Sequence, residues 1–333
     1  MSDSVSIAEL RTLPLFAGLG ASRLAALRGG LRPVPFGVGT VLIRQGRPPD
    51  GAWFLESGAA EVVARMPGGD ERLLGTVGAG DMVGDTGLID GRPRTATVRA
   101  SEGGRALFLD GGFFRGLTAQ RDAAALGVLR NVHRGIAERI RAMGADLDGL
   151  EGNGAGAVPA AVLPATAGDP AFDVRAYLPV LPFFVGFRPA QIDRLMAEAT
   201  ALEIPAGSAL YRAGDAGDTC FIVVRGAVWA LAGGDTRRLP RAVLGPGRAV
   251  GLLSMLLGGV HGTTCLSREG ATVIALPRQA FAALYDGEDD VALAVLDAVG
   301  RDLLAIMGRM ANDLARAAGQ GLIHGRGMAH ASR

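Results

Sequence analysis

Val83-Gly84-Asp85-Thr86-Gly87-Leu88-Ile89-Asp90-Gly91-Arg92-Pro93-Arg94-Thr95-Ala96-Thr97 is the stretch around which the chain is organised. Two short apolar runs flank it, Arg72-Leu73-Leu74-Gly75-Thr76-Val77 before and Ala106-Leu107-Phe108-Leu109 after. Its glycines at 84, 87 and 91 let the backbone turn tightly and leave N–H groups uncovered. Successive N–H groups of that kind make an anion-sized concavity, which an arginine closes with forked, charge-assisted hydrogen bonds. Asp85 accepts hydrogen bonds from hydroxyls and repels the same anion. An anion site and a hydroxyl acceptor nine residues apart around a turn suit a sugar phosphate.

Outward from this stretch, the chain repeats itself. Leu13-Pro14-Leu15-Phe16-Ala17-Gly18-Leu19 returns as Leu181-Pro182-Phe183-Phe184-Val185-Gly186-Phe187, an offset of 168. The same offset pairs Gly39 with Gly207, Gly46 with Gly214, Asp50 with Asp218 and Gly58 with Gly226. After one deleted residue the offset is 167, pairing Gly78 with Gly245, Gly84 with Gly251 and Phe114 with Phe281. A period this long describes two domains, because solenoid repeats are shorter.

In the first repeat, a helix with Ser22 as its cap is expected near 21–29. Apolar pieces at 40–44, 51–56, 59–65, 71–77, 96–100 and 106–109 are cut at regular intervals by Gly, Pro or Asp. That spacing predicts an antiparallel barrel or jelly roll. Trp53 reads as a core aromatic of a barrel strand rather than a stacking platform for a ligand. Residues 112–143 read as helical, with Leu126, Leu129, Val132, Ile136, Ile140 and Met143 at three- and four-residue spacing, and 120–143 is the expected post-barrel helix. Its arginines (Arg130, Arg134, Arg139 and Arg141) alternate with Glu138 and read as a solvated face. Gly, Ala, Pro and Asp dominate 144–173, which reads as a linker. The predicted domains are therefore 10–143 and 174–318, each ending in a long helix, with a disordered tail at 319–333.

Composition narrows the function. All 34 basic residues are arginine, which points to a GC-rich bacterial genome, and a net charge of +1 gives no electrostatic argument for nucleic acid or an anionic membrane. No stretch approaches the roughly 18 apolar residues of a membrane span. With no leader expected either, the chain reads as cytoplasmic. Cys220 and Cys265 read as buried reduced thiols. Metal-ligand clusters, a Walker loop and a nucleophile beside a base are all missing from the sequence, so an enzyme is not expected. His324 and His330 are too sparsely accompanied for a metal site.

Val83-Gly84-Asp85 followed by Pro93-Arg94-Thr95-Ala96-Thr97 resembles the phosphate-binding cassette of cyclic nucleotide-binding domains. That family includes the bacterial catabolite activator protein and the regulatory subunits of protein kinases. Its pattern is Phe-Gly-Glu, an apolar pair, a short loop, then Pro-Arg-small-Ala-Thr. The resemblance implies that Arg94 pairs with the cyclic phosphate and that Asp85 stands where the family's glutamate holds the ribose 2′-hydroxyl. Asp85 departs from the pattern by one methylene. The implied nucleotide-binding set is Val83, Gly84, Asp85, Thr86, Arg94, Thr95 and Ala96. The implied fold is mainly β with helices: two tandem jelly-roll, cupin-like barrels, each followed by a long helix that closes over the nucleotide and makes dimer contacts.

In the second repeat the offset puts Leu252 at the place of Asp85 and His261 at that of Arg94. The hydroxyl acceptor becomes apolar and the fixed cation an imidazole, so this copy is expected not to bind. The expected function is a sensor of cAMP, with cGMP as the alternative base, that signals by moving the post-barrel helix to a protein partner. The alternative is a structural or assembly protein with two ligand-free barrels. The family's transcription factors carry a helix-turn-helix after the long helix; fifteen residues follow Ala318, so direct DNA reading is not expected. The two long helices are expected to pair, within one chain or in a homodimer.

Overall fold

Apolar runs punctuated by turn residues give eight short strands in the first repeat. They are β1 (Leu31–Phe36), β2 (Val41–Ile43), β3 (Gly51–Ser57), β4 (Ala60–Arg65), β5 (Glu71–Val77), β6 (Met82–Val83), β7 (Thr97–Ala100) and β8 (Gly104–Asp110). The computed structural model describes residues 6–66, 69–151, 163–164, 168–232 and 239–330. The strands form two antiparallel sheets, ordered β1-β8-β3-β6 and β2-β7-β4-β5. One core cluster joins both: Phe36, Leu55 and Ala106 come from the first sheet, and Ile43, Ala60 and Val98 from the second. Trp53 packs against that cluster and against Phe108, ring centroids 4.6 Å apart. Phe54, next along β3, faces the other way and meets Phe16 at 5.6 Å.

The helices of this repeat are α1 (Ile7–Thr12), α2 (Ala21–Leu27), α3 (Thr86–Ile89), α4 (Gly111–Ala119) and α5 (Ala123–Glu151). The chain divides into two compact units, residues 1–132 and 133–333, so α5 crosses the division. In the first unit Asn131 Nδ2 donates to the Leu15 and Ala17 carbonyls, at 2.7 and 3.0 Å.

In the second unit the strands are β9 (Leu163–Pro164), β10 (Thr200–Ile204), β11 (Ser208–Tyr211), β12 (Thr219–Arg225), β13 (Val228–Ala232), β14 (Leu239–Leu244), β15 (Ala249–Val250), β16 (Thr264–Ser267) and β17 (Ala271–Pro277). They form sheets β10-β17-β12-β15 and β14-β13-β16-β11-β9, antiparallel except that β9 pairs parallel to β11. The helices are α6 (Pro189–Ala197), α7 (Leu252–Leu257), α8 (Arg278–Tyr285) and α9 (Asp290–His330). Arg301 donates to the Phe183 and Val185 carbonyls. Val185 stands one repeat after Ala17 and Phe183 one after Leu15, so both post-barrel helices hold the turn before their barrel.

The sequence repeat is also a repeat of backbone hydrogen bonds. Gly39 N–H donates to the Ala100 carbonyl and Gly207 N–H to that of Ser267, both at 2.8 Å. Gly80 N–H donates to Leu55 at 2.8 Å and Gly247 N–H to Val223 at 2.7 Å.

Several expectations are corrected. The strand β1 was not foreseen because Pro33 and Pro35 interrupt it; it lies at a sheet edge, the place where proline is tolerated. Gly20, rather than Ser22, is the N-cap of α2. The helical stretch expected over 112–143 divides into α4 and α5, the latter starting at Ala123 and not at 120: Arg121 adopts φ 58, and the Asp122 carboxylate then caps α5 by accepting from Ala124 and Ala125 N–H. α5 extends to Glu151, past the expected end at 143, because Leu147 continues its buried stripe. The linker's Leu163–Pro164 forms β9, while 152–162 lies outside the described residues. The backbone of α9 runs to His330 instead of ending at Ala318; no proline interrupts it, and each glycine costs only about 1 kcal/mol against alanine. Among the described residues no helix is long and apolar enough to cross a membrane, and no group of three metal-ligating side chains occurs.

Candidate functional site

Two turns of the first unit meet at Arg94. Its backbone N–H donates to the Arg47 carbonyl and its carbonyl accepts from Gly46 N–H, both at 2.8 Å. The β2–β3 loop is thereby fastened to the loop before β7. The Arg94 side chain turns inward and is 6% exposed. Nη1 donates to the Gly84 carbonyl at 2.8 Å, and Nη2 to the Gly51 carbonyl and to Asp50 Oδ1, the latter at 3.0 Å. Nε is buried without a hydrogen-bond partner. A buried N–H in that position carries a desolvation cost that an acceptor would relieve.

Glycine makes this placement possible. Gly84 has φ +82, and a Cβ there would stand 2.8 Å from Arg94 Nη1. A Cβ on Gly87 would stand 2.6 Å from Nη1 and 2.6 Å from Pro49 Cβ. Around Gly91 there is open space, so it serves the turn and not the guanidinium.

Val83 belongs to the barrel core at the end of β6. Asp85 is 4% exposed and opens α3, while Thr86 begins that helix and is half-buried. Thr95 is exposed and Ala96 half-buried. The geometry thus joins Arg94 to Gly84, with Asp85 buried one residue along. A cavity of about 190 Å³ lies here, lined by Leu42, Ile43, Arg44, Arg47, Asp50 and Arg94.

Asp50, Gly51, Arg44 and Arg47 border Arg94 or its cavity and were not among the expected residues. Asp50 recurs as Asp218, but the repeat alone does not place it at the guanidinium.

The second unit keeps the frame and replaces the chemistry. His261 N–H donates to the Asp215 carbonyl and the His261 carbonyl accepts from Gly214 N–H, both at 2.9 Å, as at Arg94. The imidazole is 4% exposed and stacks on Tyr211, centroids 3.7 Å apart. Its Nδ1 lies 2.8 Å from Ser254 Oγ, and Ser254 stands where the first repeat has Gly87. Burial pushes the His261 pKa below its ordinary value, outweighing the pull of Asp215 and Asp218, and Arg278 adds to the fall. The imidazole is therefore neutral at pH 7. Leu252 is buried where Asp85 stands. Arg278, at the start of α8, donates to the Gly217, Ser254 and Met255 carbonyls; the first repeat has Gly111 there. Burial raises Cys220 and Cys265 each to about 12, which keeps both as thiols.

The family model described as the cyclic nucleotide-binding domain matches residues 33–121 and 201–288, together just over half of the chain. The chain belongs to the cyclic nucleotide-binding domain family. Both matches fall on the two barrels just described. Among relatives, a CRP-like cAMP-activated global transcriptional regulator of Mycobacterium tuberculosis is 32% identical over 120 residues, 36% of this chain and 54% of that protein. The acetyltransferase Pat of Mycolicibacterium smegmatis is 38% identical over 98 residues, 29% of each chain. A cAMP-dependent protein kinase regulatory subunit of Emericella nidulans is 37% identical over 93 residues, 28% of this chain and 22% of that one. The chain spans about half the length of the first of these relatives and less of the others.

Proposed function

We propose that the first repeat is a sensor of a cyclic mononucleotide, cAMP before cGMP, that reports binding through α4 and α5 to a protein partner. The buried guanidinium of Arg94, its Nε without a partner and the residue itself lining the cavity, is the observation that carries this reading. A cyclic phosphate would compete with the exposed Asp50 carboxylate for Nη2. Asp85 would accept from the ribose hydroxyl, and Gly84 and Thr86 would offer backbone N–H groups. The relatives named for cAMP support the choice of base. The second repeat is assigned no ligand, because His261, Tyr211 and Ser254 fill the corresponding place with their own contacts.

A second reading has its own observation. Gly84, Gly51 and Asp50 already satisfy both terminal nitrogens of Arg94, which is also how a purely structural barrel would hold an arginine. Calorimetric titration with cAMP and with cGMP, on the wild type and on Arg94→Ala, separates the two. One site per chain, lost in the variant, establishes the sensor. No heat with either nucleotide makes the protein a structural one, and two sites per chain would overturn the silent second repeat.

A further inference from the structure

The carbonyl of position 47 accepts from the N–H of position 94, and that of position 215 from the N–H of position 261, so the two places correspond in the repeats. In the second repeat the pair is Asp215 and His261. Asp215 has a local task there: its Oδ2 accepts from Arg212 N–H at 2.7 Å and caps the loop. In the first repeat the pair is Arg47 and Arg94. Arginine accepts no hydrogen bond, so this loop gives up the cap. In exchange it places two arginines on hydrogen-bonded backbones.

Both arginines line the cavity of about 190 Å³, with Arg44 as a third cation and Asp50 as the one carboxylate. Asp50 pairs with Arg94. Among the described residues neither Arg44 nor Arg47 has an ion-pair partner, and both are exposed. An excess of positive charge around a cavity whose buried wall is Arg94 attracts an anion. In the repeat that lost Arg94 the same position has reversed its sign.

We propose that Arg47 is a second cation of the phosphate site, contacting the cyclic phosphate from the open side while Arg94 holds it from the buried side. The inference rests on the cyclic nucleotide reading of the first repeat and names a ligand-binding residue outside the cassette itself. Arg47 contributes charge at an exposed position, so its effect is modest and screened by salt; that of Arg94 is neither.

The test is calorimetric titration of the full chain with the better-binding nucleotide at about 25 and 250 mM salt, chosen to span the Debye length from about 20 to 6 Å. Arg47→Ala, Arg47→Lys and Arg47→Asp are compared with the wild type and with Arg94→Ala. At low salt Arg47→Ala is expected to weaken binding about five- to ten-fold. Arg47→Lys should keep most of the affinity, and Arg47→Asp, which copies the second repeat, should be weakest of the three. The loss in Arg47→Ala should shrink at high salt, which a merely structural disturbance of the loop would not produce. If Arg47→Ala binds like the wild type at both salt concentrations, Arg47 is not a phosphate ligand even though the site is real. If the wild type itself shows no binding, the reading beneath the inference fails and the inference falls with it.

Discussion

A guanidinium buried between two glycines makes their side-chain atoms, or the lack of them, decide the site. Gly87→Ser transplants into the first repeat the serine that the second repeat carries at this position. Its Cβ would stand 2.6 Å from Arg94 Nη1 and 2.6 Å from Pro49, so the arginine must leave its place. Nucleotide binding should fall at least tenfold, with about 1–3 kcal/mol of stability lost to overpacking; wild-type affinity in Gly87→Ser would show that Arg94 is not held as described. The residues involved were legible to different degrees. Gly84, Gly87 and Arg94 stand close together in one stretch whose glycine spacing announces a tight approach. Asp50 and Arg47 stand more than forty residues before Arg94, and only the β2–β3 loop folding back onto Arg94 makes them part of the site. Arg278 opens α8, where an arginine ordinarily reads as a solvated helix residue; its task appears only when the carbonyls of Gly217, Ser254 and Met255 are seen to converge on it.

At the scale of elements, strands with a clean pattern were readable and those whose pattern is broken were not. β1 hid behind two prolines at a sheet edge, and β6 is only two residues long. The break between α4 and α5 rests on the single left-handed residue Arg121, which no periodicity signals. The attachment of α9 was also invisible, because it depends on a change at two positions far apart. Asp302 is 4% exposed; it accepts from Ala249 N–H at 2.8 Å and from Arg248 Nη1 at 3.0 Å, tying α9 to β15. The first repeat has Gly135 and Asp81 at those positions, and Asp81 instead caps its own turn through Gly78 N–H. Burial raises the Asp302 pKa against the pull of Ala249 N–H and Arg248, so the tie fixes position at some cost in stability. Asp302→Ala leaves a buried N–H and an arginine without their acceptor and should lower stability by about 2 kcal/mol, while Asp302→Asn should cost less. Thermal unfolding checks this, and an unchanged midpoint in Asp302→Ala would mean that the tie carries no weight.

For the whole molecule, the comparison of repeats says that the frame of backbone hydrogen bonds and the chemistry of the cassette are separable. The frame follows from glycines and core residues that both copies keep, so the sequence repeat was enough to find it. The chemistry follows from a few side chains, and their exchange gives the two units different responses to pH. His261 is the titrating group of that exchange, and its neighbours are Tyr211, Ser254, Asp215, Asp218 and Arg278. Burial holds its folded pKa below the value of about 6.5 that the unfolded chain has. Between those two values the unfolded state binds more protons, so stability rises with pH there. The contribution is intact above about 6.5 and is lost as pH falls below it, with a slope of at most about 1.4 kcal/mol per pH unit. Asp297 and Asp302 act in the opposite sense, since their raised pKa values favour the folded state as they protonate. The histidine term is therefore isolated by difference: unfolding of the wild type and of His261→Gln is followed at pH 7.5 and 5.5. The wild type should lose more stability than the variant over that interval. An equal loss in both would mean that the imidazole is protonated as readily in the folded chain as in the unfolded one, and that the packing of Tyr211 and Ser254 does not keep it neutral.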